Sequence, residues 1–127
     1  MADWILIEEG AYPVEAAFLL TRKYRATPYE DASIDVYLDG GGERKVRGRG
    51  MTVNVRIVEL LENEDEIDIL IDLGGEFKYL LKTPSISAGK VFSPDVKSLV
   101  HFIAREPLQK LALAEFMKIR SLLSLLD

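Results

Sequence analysis

The sequence predicts an α+β fold, an antiparallel β-meander sheet with an N-terminal helix and two C-terminal helices packed on one face, the last helix zipper-like. Three observations lead there. Apolar residues alternate with polar ones in the stretches 33–38, 44–57 and 67–82, the period of half-buried strands. They recur at helical spacing in 14–24 and again beyond Ser93. At 127 residues the chain fits one domain, able to bury roughly two thirds of its unfolded surface.

Asp3 to Glu8 reads as a short strand closed by Gly10. Pro13 suits a first helical turn, and Val14, Ala17, Phe18 and Leu20 mark a helix over Val14 to Tyr24. Arg22, Lys23 and Arg25 then load the C-terminal turn, where the helix dipole favours cations. Thr27, Pro28 and Glu30 form a capping-box pattern for one short turn that carries Tyr29.

The first hairpin runs from Ser33 through Gly40, Gly41 and Gly42. A three-residue loop pairs Val36 with Val46, which points Ile34, Val36 and Val46 inward. The same register sets Tyr37 opposite Lys45, Asp35 opposite Arg47 and Ser33 opposite Arg49, all outward. Val53, Val55 and Ile57 share the parity of Arg49, so a bulge at Gly48 or Gly50 is expected to turn them inward and to bring Asn54 and Arg56 outward. In the last hairpin a loop of Leu73, Gly74 and Gly75 matches Ile71 with Phe77, Ile69 with Tyr79 and Ile67 with Leu81, leaving Lys78 and Lys82 outside. Phe77 and Tyr79 are then core residues.

Ser93, Pro94 and Asp95 announce a helix with buried Val96, Leu99, Val100 and Ile103, and place His101 beside Lys97 and Arg105 on its polar side. Beyond Pro107, Ala112, Phe116, Ile119, Leu123 and Leu126 repeat at spacings of four and three, a zipper-like seam; with Leu111, Leu113, Leu122 and Leu125 outside it, the helix must be covered by its own sheet, a second copy or both, and dimerisation through the seam is favoured. The domain therefore divides into 1–106, the α+β part, and 107–127, a leucine-rich oligomerisation helix of the same domain.

Charge is segregated along the chain. Arg44, Lys45, Arg47, Arg49 and Arg56 face the single acid Glu43 between 43 and 57, and the acids Glu59, Glu62, Glu64, Asp65, Glu66 and Asp68 follow. The net charge is −5, so a polyanion must be met by a local patch, not by the field of the whole molecule. The face expected to do so comprises Tyr37, Lys45, Arg47, Arg49, Arg56, Lys78 and Lys82, with Phe92 in the loop 83–92 either closing a cleft against the sheet or packing under the following helix. Cations would hold phosphates and the aromatic rings would stack bases at about 1–3 kcal/mol each. The plain alternative is a solvated face balanced by Asp35, Asp68 and Glu66.

Cysteine is absent, which excludes disulfides, thiolate metal sites and cysteine nucleophiles, and points to a reducing, cytoplasmic setting. No apolar stretch reaches the roughly 18 residues of a membrane span. No catalytic residue, metal or cofactor is expected. Asp72, Glu76 and Lys78 resemble the acid-x-lysine element of metal-dependent nucleases, but they are equally polar residues flanking a glycine turn.

The strip Lys45, Val46, Arg47, Gly48, Arg49 and the terminal run Leu108 to Leu126 resemble the ThermoDBP family of archaeal single-stranded DNA-binding proteins and their relatives. Scarce amides (Asn54, Asn63 and Gln109) add a thermophile-like composition. The resemblance implies that a cleft between sheet and helices grips the strand and that the terminal helix sets the oligomeric state. The expected function is therefore sequence-tolerant binding of single-stranded DNA or RNA by a homodimer or tetramer. A protein-interaction module docking through the C-terminal helix is the alternative, and a metal-dependent nuclease a minor one.

Overall fold

Two β-sheets packed face to face, with one short helix on the back of the second, replace the expected helices and meander in the computed structural model, which describes residues 8–53, 66–88, 97–106 and 108–125. In chain order the elements are β1 (Gly10–Pro13), β2 (Ala16–Thr21), β3 (Arg25–Pro28), β4 (Glu30–Leu38), β5 (Arg44–Val53), β6 (Ile67–Asp72), β7 (Lys78–Leu81), β8 (Ser85–Ala88), β9 (Lys97–Ile103), β10 (Gln109–Lys110), α1 (Leu113–Leu122) and β11 (Ser124–Leu125). The first sheet has the order β1-β4-β5-β9-β8 and is antiparallel throughout. The second has the order β10-β7-β6-β2-β3-β11, antiparallel except where β11 runs parallel to β3.

The fold class is therefore mostly β, and the expected N-terminal helix is β2. Its residues alternate between two hydrophobic surroundings: Ala17 and Leu19 face the first sheet, and Phe18 and Leu20 face the helix. A strand buried on both sides reads as an unbroken apolar run, and such a run fits a helical template as readily as a strand. The same holds for β6, where Ile67, Ile69 and Ile71 point into the sandwich and Leu70 points at the helix.

The expected helix after Ser93 is also a strand within the described residues, β9. Val100 and Phe102 enter the core, whereas Leu99, His101 and Ile103 face outward. The terminal helix is only ten residues long and is preceded and followed by strands of the second sheet, so the tail is integral to the fold. Glu115 accepts a hydrogen bond from the Ala112 amide at its start, 3.1 Å long.

The zipper reading fails for the same reason. Phe116 is buried inside its own chain against Leu20, Ala26, Leu70, Leu80 and Leu111, and Ile119 and Leu123 pack on that cluster. The seam closes the back of the second sheet, and Ala112, the N-cap, is exposed. Leu126 lies outside the described residues, as do Arg56, Phe92, residues 3–7 of the strand expected from Asp3 to Glu8 and the stretch 59–65 of the acidic run.

The first hairpin has the expected register: Val36 pairs with Val46, Tyr37 with Lys45, Asp35 with Arg47 and Ser33 with Arg49. No bulge interrupts β5 at either glycine. It pairs with β9 without a break from Arg47 to Val53, and the irregularity falls on β4 between Glu30 and Ser33 instead. Gly48 and Gly50 serve close packing. A Cβ on Gly48 would lie 2.5 Å from the Phe102 ring and 2.6 Å from the Ser33 carbonyl oxygen, and one on Gly50 would lie 2.8 Å from the Tyr29 ring. Val53 consequently stays on the outer side with Arg49.

Those two rings are core elements. Tyr29, expected on a turn, is buried, and its hydroxyl donates to the Val100 carbonyl; burial pushes its phenol well above the ordinary value. The last hairpin also differs from expectation by two residues. Ile71 pairs with Tyr79 and Ile69 with Leu81, so the loop spans 73–77 and Phe77 is exposed on it. A shift of two preserves the faces, and Tyr79 remains core.

Asp68 joins the ends of the second sheet on its helix side. The carboxylate is buried and accepts from the Thr83 amide at 2.9 Å, with the Arg22 guanidinium at 3.3 Å and the Lys82 ammonium at 3.7 Å. Thr83 has φ 42, a left-handed conformation that a β-branched residue adopts only under constraint.

Gly48→Ala should cost about 1–3 kcal/mol in urea-denaturation stability, because neither the ring nor the carbonyl can retreat without disturbing the sheet. Gly40→Ala, with nothing within 4 Å of its Cβ position, should change stability by less than about 0.5 kcal/mol. Asp68→Ala should cost about 1.5–3 kcal/mol in the same measurement, the worth of hydrogen bonds to a charged group, since Arg22 and Lys82 reach solvent once it is gone.

Candidate functional site

The back of the second sheet is closed by α1, so the open β surface is the outer face of the first sheet. Cross-strand pairing arranges it in rows. Ala11, Asp35, Arg47, Ile103 and Ser85 form one. Pro13, Ser33, Arg49, His101 and Ser87 form the next. Tyr37 and Lys45 stand beside the first row, and Met51 with Leu99 beside the second.

Sequence reasoning thus brings together Tyr37, Lys45, Arg47 and Arg49 correctly on one exposed face. It does not bring Lys78 and Lys82 there. Both belong to the second sheet, because β6 pairs with β2 rather than continuing the meander from β5. Lys78 is buried beneath the helix, with its ammonium 2.8 Å from Asp72, 2.7 Å from the Gly75 carbonyl and 5.4 Å from the centre of the Phe116 ring. Lys82 is turned toward Asp68. Neither can contribute to a grip on the opposite side of the molecule.

The cations that remain are unequally committed. Lys45 lies 3.6 Å from Asp39 and 3.7 Å from Glu43. Asp39 also accepts the amides of Gly41 and Glu43, and its carboxyl is held below the usual carboxylate range, first by the Glu43 amide. Arg47 directs both Nε and a terminal nitrogen at one Asp35 oxygen, each at 3.2 Å. Its guanidinium also lies 4.6 Å from the centre of the Tyr37 ring. Lys97, at the far end of β9, is ion-paired with Glu30, whose hydrogen bond raises the ammonium pKa. Among the described residues the Arg49 side chain makes no ion pair or hydrogen bond.

This alters the part Tyr37 can play. A guanidinium over the ring occupies the surface on which a base would stack. The guanidinium plane itself can accept a base, since arginine planes stack on bases as aromatic rings do. Around Arg49 the face sinks into a depression of about 390 Å³ lined by Ala11, Ser33, Ile34, Asp35, Arg47, Gly48, Arg49 and His101.

His101 is the residue that sequence reasoning missed. Helical spacing sets it among Lys97 and Arg105, but strand geometry sets it directly opposite Arg49. The readable signal was the alternation of Val100 and Phe102 against Leu99, His101 and Ile103, which serves a strand as well as a helix.

Asp72 neutralises Lys78 and accepts the Gly74 amide at 2.8 Å, which shapes the turn. Among the described residues no three histidine, cysteine, aspartate or glutamate side chains are grouped as a metal site. No helix there is long and apolar enough to cross a membrane. The chain matches no protein-family model, no curated protein and no solved structure.

Proposed function

We propose that the outer face of the first sheet binds single-stranded nucleic acid without sequence preference. The observation that carries this reading is Arg49, an exposed guanidinium without a partner among the described residues, in a depression beside Arg47 and His101. A guanidinium presents several N–H donors in a planar fork matched to phosphate oxygens. Arg47, its guanidinium over the Tyr37 ring, offers the adjoining surface for a base. An open sheet face suits a strand with splayed bases, whereas among the described residues that face presents no helix to enter a duplex major groove, α1 lying on the other sheet. What this reading retains from the ThermoDBP resemblance is the strip Lys45–Arg49 as the contact surface. A cleft between sheet and helix is not part of it, because the helix lies on the other sheet.

The committed ion pairs set the strength. Arg47 must share its charge with Asp35 and Lys45 with Asp39 and Glu43, so one to three phosphates are contacted and affinity is modest. With labelled oligothymidine followed by fluorescence anisotropy, log K should fall against log salt with a slope of about −0.7 per contacted phosphate. Arg49→Ala should reduce the slope by about that amount and weaken binding roughly tenfold or more, as expected for a charge-assisted contact. Equal binding by wild type and Arg49→Ala would remove the site from this face.

Self-association through the C-terminal segment is supported by a different set of residues from the expected seam. Leu113, Met117 and Leu122 are exposed by 63 %, 55 % and 47 % on the sides of α1 turned away from Phe116. Substituting Leu113→Glu and Met117→Glu together should leave thermal stability within about 0.5 kcal/mol, since neither residue is in the core. Sedimentation at increasing concentration should then show a monomer where the wild type shows dimer or tetramer.

A further inference from the structure

We infer that Arg49 and His101 together form a phosphate subsite, and that proton uptake by His101 tightens its hold on a nucleic-acid strand. The inference rests on the reading of this face as a single-strand binder and adds a residue and a regulation to it. Arg49 and His101 are direct cross-strand partners, and both line the depression with Ser33 and Arg47. Directly opposed side chains on one sheet face start from Cβ atoms about 4.5–5.5 Å apart, close enough for one phosphate to bridge them. A depression of about 390 Å³ exceeds by several times the roughly 30 Å³ taken by a water molecule, so an anion fits with part of its hydration.

The charged surroundings favour such a bridge. From β5 the histidine faces Arg49 and, one row away, Arg47; from β4 it faces Ser33 and the already paired Asp35. From β8 it faces Ser87 and Ser85, and β1 adds only Ala11 and Pro13. On its own strand Lys97 is held by Glu30, and Arg105 lies just past the end. Apart from Asp35, whose oxygen Arg47 occupies, the lining offers no carboxylate to accept from a protonated imidazole. An anion lying between the two side chains can accept from both at once. Anion binding and protonation must reinforce one another equally, because linkage is reciprocal. Histidine is the side-chain type that serves as the charge switch near neutral pH, so the grip tightens as pH falls.

Oligothymidine titrations of the whole chain at about pH 6 and about pH 8 test this. For the wild type, the lower pH should raise affinity up to roughly tenfold, the worth of a second charge-assisted contact to the same phosphate. His101→Gln, an exposed substitution, should lose that pH dependence while still binding. If it keeps the wild-type dependence although Arg49→Ala loses binding, the inference is overturned and the binding face stands. A second arm uses inorganic phosphate and the imidazole resonances of the single histidine. Phosphate should move them toward the protonated position at constant pH in the wild type, and not in Arg49→Ala. Imidazole signals that ignore phosphate in the wild type overturn the subsite, whether or not the oligonucleotide binds.

Discussion

Burial of the second sheet on both faces is the constraint on which the rest of the molecule depends. One side of it supplies Ala17, Leu19, Ile67, Ile69, Ile71, Tyr79 and Leu81 to the core shared with the first sheet. The other side supplies Leu20, Ala26, Leu70 and Leu80 to a smaller core closed by Phe116. Full burial of each large apolar side chain is worth about 1.5–3 kcal/mol, so the helix and its flanking strands are as much part of the stability as the sandwich itself. With the helix committed there, the first sheet keeps an open outer face.

The two buried charged side chains among the described residues are tied to this geometry. Asp68 and Lys78 lie on the helix-covered side, where an unpaired charge would be costly, and each has both an ionic partner and a backbone contact. The hydroxyl of Tyr29 reaches across the first sheet to Val100, and Gly50 leaves room for its ring. Charges on the outer face are a different population. Lys45, Arg47 and Lys97 each meet an acid in solvent, where such pairs contribute little to stability. What they leave over is Arg49, with His101 opposite.

The first hairpin was legible because its two sides differ. Val36 and Val46 against Tyr37, Lys45 and Arg47 is a period-two contrast, and only one register keeps the arginines in water. Where both sides are apolar that contrast disappears, and β2 passed for a helix. The glycines misled for a related reason. Gly48 and Gly50 read locally as bulge residues, but what selects them is the ring packed over each, contributed by Phe102 and by Tyr29 from distant parts of the chain. His101 changed neighbours for the same reason, since a partner across a strand is set by pairing and not by spacing along the chain.

Taken alone, the order of residues determined the alternation of the first hairpin, the segregation of basic from acidic stretches, and the absence of thiol chemistry, since each is a property of neighbours along the chain. Tertiary structure alone decided that Lys78 and Lys82 leave the basic face, that Phe116 folds onto its own sheet, and that Arg49 meets His101. These outcomes depend on which strands pair and on which faces become buried. Both are settled by the free energy of removing apolar surface from water across the whole chain, a quantity that no local window contains.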